Sequence, residues 1–447
     1  MVTMDLLLAF GIFAIAIVGC ISTGTPLCVA SFFGLAAFFG VGLQRGFSAK
    51  ALCKMVYRSR KTTAIVCQVL FWIGCLTALW RASGTIAFFV YYGIHLITPH
   101  WFLLIAFLLS TGLSYALGSS FGTAGTVGVM LITLARSGNV DVWMTAGAVL
   151  SGAYVGERCA PTSSAAFLLS AVTGVEHSKF LKRAFREGIL PFLLSTGIFT
   201  VLSWQHPIRN IDVNVLSALE NSFYLGWPVV LPAVLLLLLP WFHVRIVHVL
   251  LASGGIAFLL AISLQQQAVL TTLQDCVLGY EAASPVLKNI FSGGGIVSML
   301  NVMGIILLSN SCVGIFQGTD MLAPIQRQLV PLMERLGFFP AMVILSFFLS
   351  AVFCNQSIGI TLSTQLTANI YAAHSLTRED LAADLSNSII TIAGLVPWSI
   401  ACAVPLSLLH VGPSALLYSV WLYLVPLCQL FNRICLKNIS KKSCRGK

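Results

Sequence analysis

Two adjacent charged residues in an apolar stretch are the first candidates for chemistry. Glu157 and Arg158 interrupt residues 142–172, which carry no other charge. A charge in hydrocarbon is costly unless it is paired or lines a cavity, and a buried carboxylate gains by binding a proton. We therefore predict that Glu157 carries a coupled proton and that Arg158 lies in the same cavity, with a helix-end ion pair as the alternative.

A third charge, Arg81, lies in the apolar stretch 64–97 and precedes Ser83 and Gly84. A guanidinium keeps its charge at every physiological pH, so it can hold an anion or neutralise a carboxylate. A structural helix break is the alternative for this segment.

Neutral polar residues form a second group of candidates. Asn355, Gln356 and Ser357 stand together next to apolar sequence, and Asn387 is followed by Thr391 one helical turn later. Their oxygens can replace part of a cation's hydration shell. Hydrogen bonding between helices is the alternative function for each.

Signatures of other protein classes are weak. There is no Walker A loop and no zinc motif on a helix, and the 13 cysteines are scattered without metal-type spacing. We predict no enzyme activity, no cofactor, no metal site and no nucleic-acid partner. The histidines near predicted span ends suit the membrane interface better than a proton relay; they are His95, His100, His243 and His410.

Composition indicates which elements must position these residues. The chain has 447 residues, of which 58% are hydrophobic and 9% charged, and its mean hydropathy is +0.93. Soluble domains carry roughly a quarter charged residues. We predict an all-α, polytopic transmembrane helical bundle in the cell membrane. The predicted spans are residues 6–22, 26–43, 64–80, 101–117, 143–156, 189–204, 227–244, 246–264, 296–316, 341–353, 389–409 and 418–430.

Four segments rich in Gly, Ser, Thr and Pro are predicted to be broken or re-entrant, namely residues 118–135, 158–174, 355–371 and 387–398. Irregular backbone at membrane depth is tolerated where it lines a cavity. The interruptions recur in the same order in both halves, which predicts two inverted repeats. Ser163 and Ser164, in the turn after Glu157, join the candidate ion- or solute-binding residues, and we expect Ser164, Asn355 and Asn387 to line one cavity.

The net charge of +11 is concentrated in residues 45–61, 179–186 and 433–447. Basic residues near spans stay in the cytoplasm, so these three segments are predicted to be cytoplasmic. The expected organisation is N-terminal spans with a basic loop (1–62), a first repeat (63–206), connecting spans (207–294), a second repeat (295–432) and a basic tail (433–447).

The combined motifs resemble the NhaC-type sodium/proton antiporter family. The resemblance lies in WRASGTI at residues 80–86, the glycine-rich GSSFGTAGTVG at 118–128, SGAYVGER at 151–158, SGGG at 292–295 and VPW at 396–398. It implies a secondary transporter whose site lies where the broken segments meet, with a small ion or solute as its ligand and a homodimer as one option for assembly.

Three positions depart from the family pattern. Ser164, Asn355 and Asn387 stand where the family has acidic residues. An amide cannot titrate near physiological pH, so Glu157 remains as the candidate proton-coupling acid. Sodium/proton exchange is the default expectation, and coupled transport of an organic anion or amino acid, held by Arg81 or Arg158, is the alternative. A membrane receptor or assembly protein without transport is the alternative from another class.

Overall fold

The computed structural model describes residues 4–23, 25–58, 60–96, 99–207, 213–242, 244, 246–319 and 323–445. Most of the described residues are helical, and their β-type pairing is an isolated bridge between Tyr280 and Gly293. The predicted all-α bundle is confirmed.

Eleven labelled helices make up the described part of the first half. They are α1 (Met4–Thr23), α2 (Leu27–Gln44), α3 (Ala49–Arg58), α4 (Arg60–Ala82), α5 (Thr85–Leu96), α6 (Phe102–Leu117), α7 (Ser120–Thr123), α8 (Val129–Ser137), α9 (Val142–Cys159), α10 (Ser164–Thr173) and α11 (His177–Gln205). A π-helical turn, Ala124–Gly128, connects α7 to α8.

The second half continues in the same way. Its helices are α12 (Val213–Ser222), α13 (Leu231–Leu238), α14 (Ile246–Ser263), α15 (Val269–Leu278), α16 (Pro285–Phe291), α17 (Ile296–Thr319), α18 (Ala323–Leu336), α19 (Phe338–Phe353), α20 (Gln356–Ala373), α21 (Arg378–Ala393), α22 (Ile400–Leu408) and α23 (Val420–Arg445).

Two described helices are each long and apolar enough to cross a membrane, namely His177–Gln205 and Ile296–Phe316. Two further pairs of helices are long and apolar enough only when each pair is taken as one span. Cys67–Ala82 and Thr85–Gly93 meet at a bend of 62°, and Leu216–Ser222 and Trp227–Leu236 meet at a bend of 100°. Many of the remaining apolar helices are shorter, as expected of a bundle in which several spans are interrupted.

Some predicted boundaries were wrong. Residues 389–409 are not one span, because α21 ends at Ala393 and α22 begins at Ile400. Residues 355–371 contain no internal break, because α20 runs through them without interruption and the break, at Cys354 and Asn355, lies directly before it. Three threonines along α20 donate to carbonyls one turn earlier, so polar side chains are accommodated inside the helix.

In each half a helix enters the bundle, breaks in the interior and returns. In the first half, α6 begins beside the end of α11, where Ser203 Oγ accepts from Leu103 N at 3.1 Å. In the second half, α19 begins beside the end of α20, where the rings of Phe338 and His374 are 5.1 Å apart.

The long helix α11 shows the relative direction of these two hairpins. The first hairpin begins at the C-terminal end of α11, near Ser203. The turn between α20 and α21 lies at the other end of α11, because Arg183 donates to Asp380 at 3.0 Å. The two hairpins therefore enter from opposite ends of a helix about 43 Å long, at 1.5 Å per residue, as expected for inverted repeats.

Candidate functional site

The first interior break lies between α6 and α7. Gly118 ends α6 in the left-handed conformation, with φ 66°, and the Ser119 hydroxyl caps α7 by accepting from Gly122 N at 3.2 Å. A Cβ on Gly118 would lie 2.5 Å from the carbonyl carbon of Thr162. The break therefore crosses the turn between α9 and α10 at backbone contact, which glycine permits.

Glu157 lies at this crossing. It is buried, with 7% of its surface exposed, and its Oε2 accepts from Ser120 N at 2.8 Å at the start of α7. The Ser163 hydroxyl donates to the main-chain carbonyl of Glu157 and accepts from Ala166 N at 3.2 Å, which caps α10. In the described part of the chain, no Lys, Arg or His forms an ion pair with Glu157.

The second break repeats this geometry. Cys354 ends α19 in the left-handed conformation, with φ 53°, and Asn355 caps α20 through its side-chain oxygen. Ile400 N, at the start of α22, donates to the Cys354 carbonyl at 2.7 Å. Each half therefore contains two helix interruptions that contact one another, and they lie within or directly beside the segments that the sequence predicted.

Tyr154 joins the two crossings and was missed by the sequence analysis. Its side chain is completely buried, and its hydroxyl donates to the Ala401 carbonyl on α22 at 2.6 Å. A Cβ on Gly394 would lie 2.6 Å from the Tyr154 ring. A tyrosine three residues before Glu157 on the same helix is the signal that could have identified it.

Asn355 takes part in a chain of amide hydrogen bonds. Its Oδ1 accepts from Ser357 N at 3.0 Å and from Ile358 N at 3.3 Å, while its Nδ2 donates to Asn310 Oδ1 at 3.3 Å. Asn310 in turn donates to Thr63 Oγ1 at 3.0 Å. Asn310 was not among the predicted site residues, although an amide inside the apolar α17 is itself unusual.

The other polar candidates of the second half lie near α21. Gln356 donates from its Nε2 to the Ile390 carbonyl at 3.1 Å. Thr391 bonds within its own helix, to the Ser388 carbonyl at 3.0 Å. Ser357 is exposed. These contacts match the alternative function of hydrogen bonding between and within helices.

Arg158 points away from Glu157 and into a polar network. Its Nη1 donates to the Ala184 carbonyl at 2.9 Å and its Nη2 donates to Asn387 Oδ1. Asn387 donates from its Nδ2 to Glu187 Oε2 at 2.6 Å, and Glu187 also pairs with Arg183 at 3.0 Å. The network connects α9, α11 and α21.

A second buried acid, Asp384, belongs to α21 and was also missed. It is 1% exposed, and it accepts from Arg433 at 2.8 Å and from the Tyr371 hydroxyl at 2.9 Å. Its charge is therefore compensated, in contrast to that of Glu157. The missed signal was an acid three residues before Asn387, which places both side chains on one face of α21.

Arg81 lies apart from both crossings, in the last turn of α4. It is 2% exposed, its Nη1 donates to the Thr77 carbonyl at 2.9 Å, and its buried Nε has no hydrogen-bond partner. The predicted helix break is present as well, because α4 and α5 meet at a 62° bend directly after it.

A cavity of about 370 Å³ borders the first break. Its polar wall carries the hydroxyls of Ser119, Thr126, Thr162 and Ser164, and its apolar wall includes Ile73. Ser164 lines this cavity, whereas Asn355 and Asn387 do not belong to its lining. The expected convergence of all three residues on one cavity is not seen here.

A helical bundle with crossed helix breaks in both halves and buried charges beside them is typical of secondary transporters. The Na+/H+ antiporter family model matches residues 1–186 and 187–431. The chain therefore belongs to this family and is a secondary active antiporter, a membrane protein that transports rather than an enzyme. The predicted resemblance and the predicted class of function are confirmed.

Characterised relatives differ in the solutes that their names give. A malate-2H(+)/Na(+)-lactate antiporter of Bacillus subtilis is 24% identical over 94% of this chain and 92% of its own length. The Na(+)/H(+) antiporter NhaC of Alkalihalophilus pseudofirmus is 23% identical over 80% of this chain and 79% of its own. The arginine/ornithine antiporter ArcD of Halobacterium salinarum is 25% identical over 74% and 70%.

Proposed function

We propose that this antiporter exchanges protons for a small organic solute and that Glu157 carries the proton. The supporting observation is that Glu157 is buried at the first crossing and has no cationic partner within the described residues. The neighbouring guanidinium of Arg158 is already engaged by Asn387. An uncompensated carboxylate in a bundle interior is stabilised when it binds a proton or a cation.

The neutral positions favour an organic solute over sodium. The Asn355 oxygen accepts two main-chain N–H groups, and the Asn387 oxygen accepts from Arg158. A sodium ion would have to compete with these donors for the same oxygens. An acidic residue at either position would instead offer the cation a full negative charge.

The cavity beside the first break supports the same proposal. Its hydroxyl groups lie on the wall formed by α7, the π-helical turn and the turn before α10, and its opposite wall is apolar. Small-molecule sites commonly combine an apolar lining with a few polar groups that fix orientation. Alternating access then requires the two inverted repeats to rock about the crossings.

Sodium/proton exchange is the second candidate function. The observation in its favour is the group of hydroxyl oxygens from Ser119, Thr162 and Ser164 on the cavity wall, on the same crossing as Glu157. Hydroxyl and carboxylate oxygens are suitable ligands for a hard cation. Two of the relatives carry the name NhaC.

Solute-stimulated pH change in proteoliposomes tests both candidates. The purified full-length protein is reconstituted with a pH-sensitive dye inside, and malate, lactate, arginine or Na+ is added outside. We expect proton flux with an organic solute and its loss in Glu157→Gln. Glu281→Gln is the matched control, because Glu281 forms an exposed ion pair with Lys288.

Each result has a distinct meaning. Flux driven by Na+ alone would select sodium/proton exchange. Full pH-dependent flux in Glu157→Gln would remove Glu157 from the coupling mechanism. The absence of flux with every solute would support the non-transporting receptor or assembly protein instead.

A further inference from the structure

Arg81 carries a charge that the described protein does not compensate. It is 2% exposed, and one nitrogen of its guanidinium has no partner. No Asp or Glu forms an ion pair with it among the residues that the structure describes, including Asp275 on the neighbouring α15. A buried guanidinium without a counter-charge is costly, although its position in the last turn of α4 offsets part of this cost.

One face of α4 brings Arg81 to a glycine loop. Gly74, Thr77 and Arg81 are spaced three and four residues apart, so they share a helix face. Gly295 N donates to the Gly74 carbonyl at 2.9 Å, and a Cβ on Gly294 would lie 2.7 Å from Ala78 N. The loop can lie directly on the α4 backbone because it has no side chains there.

Two further basic residues lie around this loop. His410 Nε2 is 3.3 Å from the position that a Cβ on Gly293 would occupy, and Arg136 Nη2 donates to the His410 carbonyl at 3.2 Å. Both residues are near enough to Arg81 to interact with it electrostatically. We call these three residues the Arg81 cluster.

Exposure changes stepwise across the Arg81 cluster. His410 is exposed, Arg136 is half-buried and Arg81 is buried. An anion that approaches from the surface would meet the ring N–H of His410 and the positive charge of Arg136 before it reaches the Arg81 guanidinium, whose Nε is unpaired. Arg158, the buried arginine beside the crossings, differs from Arg81 because Asn387 and the carboxylate of Glu187 already lie beside it.

We propose that the Arg81 cluster binds the carboxylate group of a small organic anion, with Arg81 as the innermost donor and Arg136 and His410 at the entrance. Guanidinium groups bind carboxylates through two parallel hydrogen bonds. This inference rests on the proposed function, because it assigns a chemical class to the solute that is exchanged for protons.

Equilibrium binding to the detergent-purified, full-length protein tests the site without requiring transport. Malate and lactate are titrated by calorimetry at constant ionic strength. We expect Arg81→Gln to weaken binding about tenfold or more, because a charge-assisted hydrogen bond is lost, and Arg81→Lys to fall between Arg81→Gln and the wild type. Arg186→Gln is the matched control, since Arg186 is exposed on α11, and it should bind as the wild type does.

Binding of neither malate nor lactate by the wild type would overturn the inference, as would unchanged affinity in Arg81→Gln or an equal loss in Arg186→Gln. If Arg81→Gln does not fold, Arg136→Gln replaces it, with a several-fold loss expected and unchanged affinity as the contrary result. Proton flux retained in Glu157→Gln would contradict the proposed function while leaving the anion site standing.

Discussion

At the residue scale, Asn387 shows what a neutral side chain accomplishes at a buried position between two charged partners. Its oxygen accepts from Arg158 and its nitrogen donates to Glu187. An amide can serve both partners at once, whereas an ionised carboxylate can only accept. The neutral residue therefore fits a site that already contains the acid Glu187.

This argument predicts that Asn387→Asp is destabilising. It would place two carboxylates against one another where Asn387 Nδ2 and Glu187 Oε2 are now 2.6 Å apart. We expect the free energy of unfolding to fall by about 1–3 kcal/mol, the typical cost of losing a buried donor. Adding Glu187→Gln should restore most of the lost free energy of unfolding, because the amide introduced on α11 can donate to the acid introduced on α21.

Thermal melting of the detergent-purified variants measures this effect. Glu187→Gln alone leaves Asn387 with an amide partner and serves as the control. If the double variant melts no higher than Asn387→Asp alone, the two side chains do not act as a donor and acceptor pair.

The sequence allowed residue types to be predicted better than their partners. Glu157 was identified because a charge in an apolar run is conspicuous, and it is buried as expected. That Arg158, next to it, contacts Asn387 in the other half could not be predicted, since partners across 229 residues depend on how helices pack. Glu187 was passed over because it stands beside the basic segment 179–186, which is predicted to be cytoplasmic.

At the element scale, glycines decide how closely the broken helices approach. A Cβ on Gly156 of α9 would lie 2.1 Å from the carbonyl carbon of Ser114 on α6. A Cβ on Gly152 would lie 2.5 Å from the Phe107 carbonyl oxygen. Small residues at such contacts let helix backbones touch, and this contact holds the first crossing beside Glu157.

We therefore predict that Gly156→Ala separates α6 from α9 and lowers the free energy of unfolding by about 3 kcal/mol, the upper range for overpacking. Gly112→Ala is the control on α6, because a Cβ there meets nothing within 4 Å; it should be neutral or slightly stabilising. Melting temperature and the yield of monodisperse protein are the measurements. Equal behaviour of both variants would show that the close approach is not needed.

The positions of the helix breaks were predictable, but their extents were not. Gly, Ser and Pro indicate where a helix ends, and the chain does break at Gly118 and Cys354. The polar residues that follow Asn355 were taken for a longer interruption, yet α20 begins at once. In a membrane helix, hydroxyls bond to their own backbone, so polarity alone does not distinguish a helix from a break.

At the scale of the whole molecule, internal contacts bring two of the three basic segments together. Arg183 bonds to Asp380, and Arg433 bonds to Asp384 one turn further along α21. The segments 179–186 and 433–447 therefore begin at the same end of the bundle. Two segments at the same end of the bundle lie on the same side of the membrane when an even number of crossings separates them. The shared end therefore agrees with the prediction that both segments face the cytoplasm.

The remaining basic segment, 45–61, should share that side. Basic residues near spans resist translocation. The predicted spans give an odd number of crossings both between 45–61 and 179–186 and between 179–186 and 433–447. In each interval, therefore, an interrupted segment must complete a crossing or a predicted span must fail. Single-cysteine variants test this with a membrane-impermeant thiol reagent applied to intact cells. Cys53, which is exposed on α3, and Cys444 should react only after permeabilisation. Glu281→Cys, with a side chain that is 68% exposed, is the control for reagent access and should react after permeabilisation. Labelling of Cys53 from outside would place α3 on the opposite side of the membrane from the N-terminal end of α21. The first half would then lack the crossing that its broken helices are proposed to supply.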